Sequence, residues 1–349
     1  LGHGAAGVAY FLVRHAAVTG ERHWLDPASD WISVAEAGIA QPDAFQADSP
    51  VYPNERAAIP ASVYFGEAGV WCCGTLVAAA RNDSQAVGRY VEQFVRVADA
   101  CPPERVDAAS GAAGLLLAAA VLVEQLSSSC PAPLLSTGDR LAGRLVRIAG
   151  VGARQAPGEL GWLGAAHGWS GIASALLRWA QATGANPGQE VQGLLDVLRQ
   201  ARLPSGLWPR HTSGQEVWRG WCHGSAGWVQ LWTLAGEVLG EPDALALAEH
   251  AASDAVAAAA DDVGPGLCCG QGGIAYASLA LYRFTGDEGW LENARRLAGA
   301  AASADAGPWY PQHSVWRGDV GTALLLAELD DPASAAMPFY RRSVPTIAR

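Results

Sequence analysis

Chemistry in this chain is read most readily from three cysteines and two histidines. Cys222 and His223 stand in GWCHGSAGW (220–228), Cys268 and Cys269 in GLCCGQGG (266–273), and His167 in AAHGWSG (165–171). Thiolates are soft ligands that hold zinc at about 2.3 Å. Three protein ligands leave the fourth tetrahedral position open, as in catalytic rather than structural sites. Cys222, Cys268 and Cys269 are therefore the expected zinc ligands. Two alternatives stay open: His223 closes the shell as a fourth ligand, or the cysteines are small buried apolar residues. His167 is either a general acid or base or a polar residue bonded to the loops. Asp107, in DAASG, either orients a histidine or serves as a loop or N-cap aspartate. Arg219 and Arg317 either bind a carbonyl or carboxylate or pair with acids on the rim.

These residues share a frame. Gly-x-x-Gly followed by an apolar run begins at Gly4, Gly66, Gly111, Gly168, Gly224, Gly270 and Gly318, at steps of 45 to 62 residues. Immediately before the first glycine stand His3, Phe65, Ser110, His167, His223, Cys269 and Arg317; one residue earlier stand Gly2, Tyr64, Ala109, Ala166, Cys222, Cys268 and Trp316. Three of eight histidines and three of seven cysteines fall in these fourteen positions, a concentration that packing alone does not produce. Cys72 and Cys73 follow their glycine step and read as core; Cys101 and Cys130 lie off the frame. His3 reads as structural.

Each step is long enough for two helices. Runs after the glycines are apolar nearly all round, as buried helices are, and the segments between them are amphipathic. Residues 243–261 and 290–303 carry their charges on one side. Outer helices are also expected over 84–100, 135–149 and 187–201, and one starting near Trp31. The expected fold is all-α, a single-domain α/α toroid of seven inner and seven outer helices over residues 1–349. Paired glycines let helix starts converge and take the φ values of a sharp entry. Residues 332–349 are expected to form a polar tail with a short closing helix.

The net charge of −11 disfavours nucleic acid and anionic membrane surfaces as partners. The longest apolar run, Gly111–Val123, is too short to span a bilayer, so no membrane span is expected. Seven cysteines, with two adjacent pairs, make a poor disulfide framework and suit a reducing cytoplasm.

The motifs HGAAG, SGAAG, AAHGWSG, WCHGSAG, LCCGQGG and RGDVG resemble the repeats of the lanthionine synthetase C-like family, in order and number, over the whole chain. The resemblance implies an α/α toroid with one zinc ion at its mouth and closure of thioether rings in a dehydrated precursor peptide. A substrate cysteine thiol adds to dehydroalanine or dehydrobutyrine. Carried over by motif, Cys222, Cys268 and Cys269 are the zinc ligands, and His167, His223 and Asp107 are catalytic. The family's arginine four residues before the first zinc cysteine is displaced: position 218 is Trp, and Arg219 is one nearer. Cys269 stands where many members have histidine. Starting at the first repeat also resembles the C-terminal cyclase domain of a class IV synthetase, with lyase and kinase parts upstream. A non-catalytic peptide- or thiol-binding module is the alternative function, and an α/α-toroid glycosidase a third.

Overall fold

The apolar runs are helices, and they start at the glycine steps. A computed structural model of the chain describes residues 2, 4–41, 44–45, 59–152, 161–259, 263–304 and 313–340. Thirteen α-helices run through these residues. They are α1 Ala5–Thr19, α2 Leu25–Gly38, α3 Glu67–Arg81, α4 Ser84–Asp99, α5 Ala112–Leu126, α6 Ala132–Gly152 and α7 Trp169–Thr183. The rest are α8 Gln189–Gln200, α9 Ser225–Leu239, α10 Ala244–Ala258, α11 Gln271–Thr285, α12 Glu288–Ser303 and α13 Asp319–Glu328. Each odd-numbered helix packs on the next odd one, and α13 packs on α1, so the inner layer closes on itself. Each even-numbered helix lies against the inner helix before it. The even ones are one-sided: α4 buries Tyr90, Val91, Phe94 and Val97, a stripe at helical spacing. The described residues contain no strand, only isolated bridges of Trp162 with His211 and Trp218 with Gly224. The architecture is all-α, of α/α-toroid type.

Helix α1 joins α13 through a buried ion pair. Arg14 pairs with Glu328, and Arg14 Nη1 also donates to Tyr10 Oη at 3.1 Å. Glu328 Oε2 accepts from Tyr276 Oη at 2.9 Å and from the Ala336 N–H at 3.2 Å. Burial opposes the charge on Arg14, yet Glu328 and the tyrosines raise its pKa overall. Burial pushes the Glu328 carboxyl up in spite of Arg14 and Tyr276, so the first and last inner helices are joined by a buried hydrogen-bonded ion-pair network as well as by apolar packing.

Two expectations need correction. The first outer helix begins at Leu25, not near Trp31, because Pro27 falls in its first turn, where a missing N–H costs no hydrogen bond. Among the described residues no helix follows α13; residues 341–349, where a seventh outer helix or the short closing helix would fall, lie outside the described residues, as do His3, residues 42–43 and residues 46–58. Of the expected polar tail, the described residues 335–340 are instead a buried plug. Phe339 meets Tyr10 and Tyr64 at 5.8 and 5.7 Å between centroids, and Tyr340 meets Trp221 at 6.3 Å. These partners come from separate parts of the ring, so the plug fills its middle. Phe339 holds φ +71°, a left-handed conformation unfavourable for a bulky residue, which burial of its ring offsets.

The glycines also work differently from expectation. Most first glycines have extended φ, from −118° at Gly270 to −149° at Gly111, which any residue adopts. Space decides them: a Cβ at Gly224 would stand 2.2 Å from Trp218 O, and one at Gly227 2.3 Å from Trp221 O. The clash is with the helix's own lead-in loop. The window Ala112–Ser129, longer than the apolar run alone, is long and apolar enough by composition to cross a membrane; in this fold it is 67% buried, mostly as inner helix α5.

Candidate active site and metal centre

The loops before the inner helices are tied to one another in a circle. The Gly2 N–H donates to Tyr64 O, Ala109 to Ala166, Ala166 to Cys222, Cys222 to Cys268 and Cys268 to Trp316, at 2.7 to 3.2 Å. Serine hydroxyls carry the other two joints. Ser62 Oγ accepts from the Tyr64 N–H at 3.1 Å and donates to Ala109 O at 2.7 Å. Ser314 Oγ accepts from the Trp316 N–H at 3.2 Å and donates to Gly2 O at 2.8 Å. All seven repeats are linked edge to edge through the residue two before the glycine. Three glycines let the loops nest: a Cβ at Gly220 would lie 2.5 Å from Cys269 Cα, and Gly164 and Gly266 are similarly crowded by the next repeat. Cys222 and Cys268 are members of this circle, so their backbones are fixed before any ion arrives.

This register brings the sulfurs together. Cys222 Sγ lies 3.2 Å from Cys269 Sγ, which lies 3.3 Å from Cys268 Sγ. The three sulfurs are within 4.8 Å of one another and form a group that could hold a metal ion; no fourth histidine, cysteine or acid joins it among the described residues. Closure by His223 is therefore disfavoured. The Cys222 and Cys268 thiols draw the Cys269 pKa down against burial, with the Arg317 guanidinium adding to the pull. Cys268 goes the other way, pushed up by Cys222 and Cys269 beside it and by burial. The donor set fits a soft divalent cation: three clustered thiols lining a cavity.

The cavity holds about 450 Å³. Both frame positions of repeats two, four, five, six and seven line it, as does Ala109 of repeat three. Ser110 lines an adjoining cavity of about 370 Å³ that shares His167 and Trp162 with the first. Its floor is aromatic, with Trp221 stacked on Trp316 at 4.5 Å and Tyr64 edge-on to Trp316 at 5.0 Å.

Asp107 and His167 meet. His167 Nδ1 lies 3.0 Å from Asp107 Oδ2. Asp107 Oδ1 accepts from the Ser110 N–H at 2.6 Å and from Ser110 Oγ at 2.8 Å. Burial raises the Asp107 pKa, but the contacts to His167 and Ser110 outweigh it and leave the carboxyl below its ordinary value. His223 stacks on His167 at 5.4 Å and lies tilted against Trp162 at 4.8 Å between ring centroids. Its Nδ1 finds no hydrogen-bond partner among the described residues. Burial first, then the neighbouring His167, lowers its pKa to about 4. Both open readings of Asp107 therefore hold, one on each oxygen.

The arginines separate. Arg317 lines the cavity. Arg219 turns outward, its Nε 3.4 Å from Asp254 on α10 and its Nη1 donating to Val217 O at 3.0 Å. Cys72 and Cys73 are buried core residues, as expected, and burial raises both thiols. Sequence reasoning missed Trp162, Arg210, Trp218 and Trp221 as cavity residues. The signal was the Trp-rich lead-in to the first cysteine motif.

A closed ring of helices carrying a three-thiol cluster at one mouth defines the class of protein. The chain belongs to the lanthionine synthetase C-like protein family, whose profile matches residues 1–341. A Danio rerio protein named glutathione S-transferase LANCL1 is 31% identical over 194 residues, 51% of this chain and 45% of its own. The chain thus matches under half the length of that relative. The LanC-like protein GCL1 of Arabidopsis thaliana is 29% identical over 303 residues, 79% of this chain and 69% of its own. Among solved structures, nisin cyclase superposes with a TM-score of 0.67 at 15% identity, covering 95% of this chain and 88% of that one, a likeness of fold.

Proposed function

We propose that this chain is a zinc-dependent lanthipeptide cyclase that adds cysteine thiols of a dehydrated precursor peptide to dehydroalanine or dehydrobutyrine, forming (methyl)lanthionine rings. The observation that carries this reading is the group of Cys222, Cys268 and Cys269 sulfurs lining a cavity, with no fourth protein ligand among the described residues. A free cysteine thiol, with pKa about 8.5, is only a few per cent ionised at neutral pH. A zinc ion on the three sulfurs would supply the missing step by binding and deprotonating the substrate thiol.

The chain's own residues do the rest. The aromatic walls exclude water and hold the peptide. Attack of the thiolate on the β-carbon leaves an enolate, which needs a proton at the α-carbon. His167 would donate it from Nε2, a role supported by the contact of its Nδ1 with Asp107. His223, stacked on His167, completes the catalytic wall. Lyase and kinase activities that make the dehydro residues would act before this unit, upstream in one polypeptide or complex. A reducing compartment such as the cytoplasm would keep the thiols free.

The non-catalytic alternative is a module that binds thiol or peptide without forming product. A glutathione thiol could occupy the same open corner, in line with the name of the zebrafish relative. The test is zinc quantification followed by mass spectrometry with thiol alkylation on a dehydrated precursor. Cys222→Ala is expected to lose zinc and ring closure together. Full cyclisation by the metal-free variant would refute the proposal, and binding without thioether product would favour the module.

A further inference from the structure

Arg210 has no role in the chemistry above, yet it is the most deliberately held side chain of the cavity wall. Its backbone is bonded on both sides: the Leu163 N–H donates to Arg210 O at 3.0 Å, and the Arg210 N–H donates to Glu216 O at 2.9 Å. Its guanidinium lies between two indoles, 5.3 Å from the Trp162 centroid and 4.7 Å from that of Trp218. Stacking on aromatic faces suits the planar guanidinium and leaves its edge for ligands. Arg210 Nε lies 3.1 Å from Glu216, whose side chain is 61% exposed, a solvent-screened and exchangeable partner.

The charge balance is the second observation. The chain carries −11 overall, but the described residues lining this cavity include Arg210 and Arg317 and no aspartate or glutamate. Glu216, the ion-pair partner of Arg210, is not among the residues lining this cavity.

We infer that Arg210, clamped between Trp162 and Trp218, receives a carboxylate of the thiol-bearing substrate and so selects acidic thiol donors. This rests on the reading that the cavity binds a substrate thiol. The carboxylate comes from a C-terminal cysteine or from an acidic side chain beside the cysteine. Both present the same planar anion to the guanidinium edge.

The probes are N-acetylcysteine, N-acetyl-aspartyl-cysteinamide and N-acetylcysteinamide, titrated calorimetrically into zinc-loaded wild type, Arg210→Gln and Arg210→Lys, with metal content checked in each. Wild type is expected to bind one of the two acidic thiols about tenfold tighter than the amide. Which acidic thiol is preferred identifies the carboxylate's source. Arg210→Gln is expected to erase the preference while binding the neutral amide as wild type does. Arg210→Lys is expected to keep less than about a third of it, because a point charge lacks the fork. Equal binding of all three thiols by wild type, or a preference that survives Arg210→Gln, overturns the inference. Failure of every thiol to bind zinc-loaded wild type overturns the thiol-binding reading and the inference with it.

Discussion

Asp107 divides its two oxygens between architecture and chemistry. Ser62, Asp107 and Ser314 all stand four residues before the first glycine of their repeat. Each caps its own loop: Ser62 Oγ accepts from the Phe65 N–H at 2.9 Å, Ser314 Oγ from the Arg317 N–H at 3.0 Å, and Asp107 Oδ1 from the Ser110 N–H at 2.6 Å. Only the aspartate has a second oxygen, and that one takes His167. Asp107→Ala should therefore cost about 1–2 kcal/mol of stability, and Asp107→Ser should recover most of it. Both should slow ring closure by roughly 10²-fold, since serine restores the loop but not the imidazole contact. Urea melts and single-turnover assays of the two variants check this. The depressed Asp107 pKa sets the pH window. Its stabilisation is fully present above the unfolded carboxylate value of about 3.9 and is lost as pH falls from there through the folded value. The stability gap between wild type and Asp107→Ala should shrink as pH falls below roughly 4. Cys269 belongs to the same scale. Three thiolates give a zinc site charge of about −1, which makes a bound substrate sulfur more nucleophilic than a Cys-Cys-His set would. Cys269→His should close rings more slowly and more selectively on the same peptide; a faster variant contradicts this.

At the scale of elements, the outer helices hold the loops that hold the site. Arg144 on α6 donates to the carbonyls of Cys101, Pro102, Pro103 and Arg105 at 3.4, 2.6, 2.6 and 2.8 Å. That segment leads directly to Asp107, so Arg144 is a positioning residue for the Asp107–His167 pair. Arg144→Met should lose roughly 1.5–3 kcal/mol of stability, the scale of hydrogen bonds to a charged group, measured by urea unfolding. Its ring-closing rate should fall less than that of Asp107→Ala. Arg144→Lys should recover part of the stability. Helix ends were legible where punctuation was local: α1, α7, α9 and α11 stop at glycines with left-handed φ, between 66° and 73°. The start of α2 was not, because Pro27 reads as a break unless its place in the first turn is known.

For the whole molecule, closing the ring matters more than any one helix. The Arg14–Glu328 pair spans 314 positions of sequence and is buried at the α1–α13 seam. Removing one partner leaves an uncompensated buried charge. Glu328→Ala should therefore destabilise by about 3–5 kcal/mol, read from the urea midpoint. Replacing both partners by apolar residues should cost far less. The hydrogen-bonded circle of loops depends on the same closure, since its last joint is the Ser314 hydroxyl bonded to Gly2 O. Seam variants should thus weaken zinc retention although they lie away from the sulfurs.

The repeat of glycine pairs and apolar runs was enough to set the all-α class, the seven inner helices and the candidate ligands, because helix periodicity and close backbone approach are local demands written into adjacent residues. The contact of Asp107 with His167 was readable as one of two roles for the aspartate, and the fold gives it both contacts, the loop cap and the imidazole. What the linear text could not carry was contact between distant segments. The Arg14–Glu328 lock, the Phe339 and Tyr340 plug, the outward turn of Arg219 and the clamp on Arg210 each join residues with no shared motif. Only the closed ring, which brings its two ends to one seam, decides which of those groups meet.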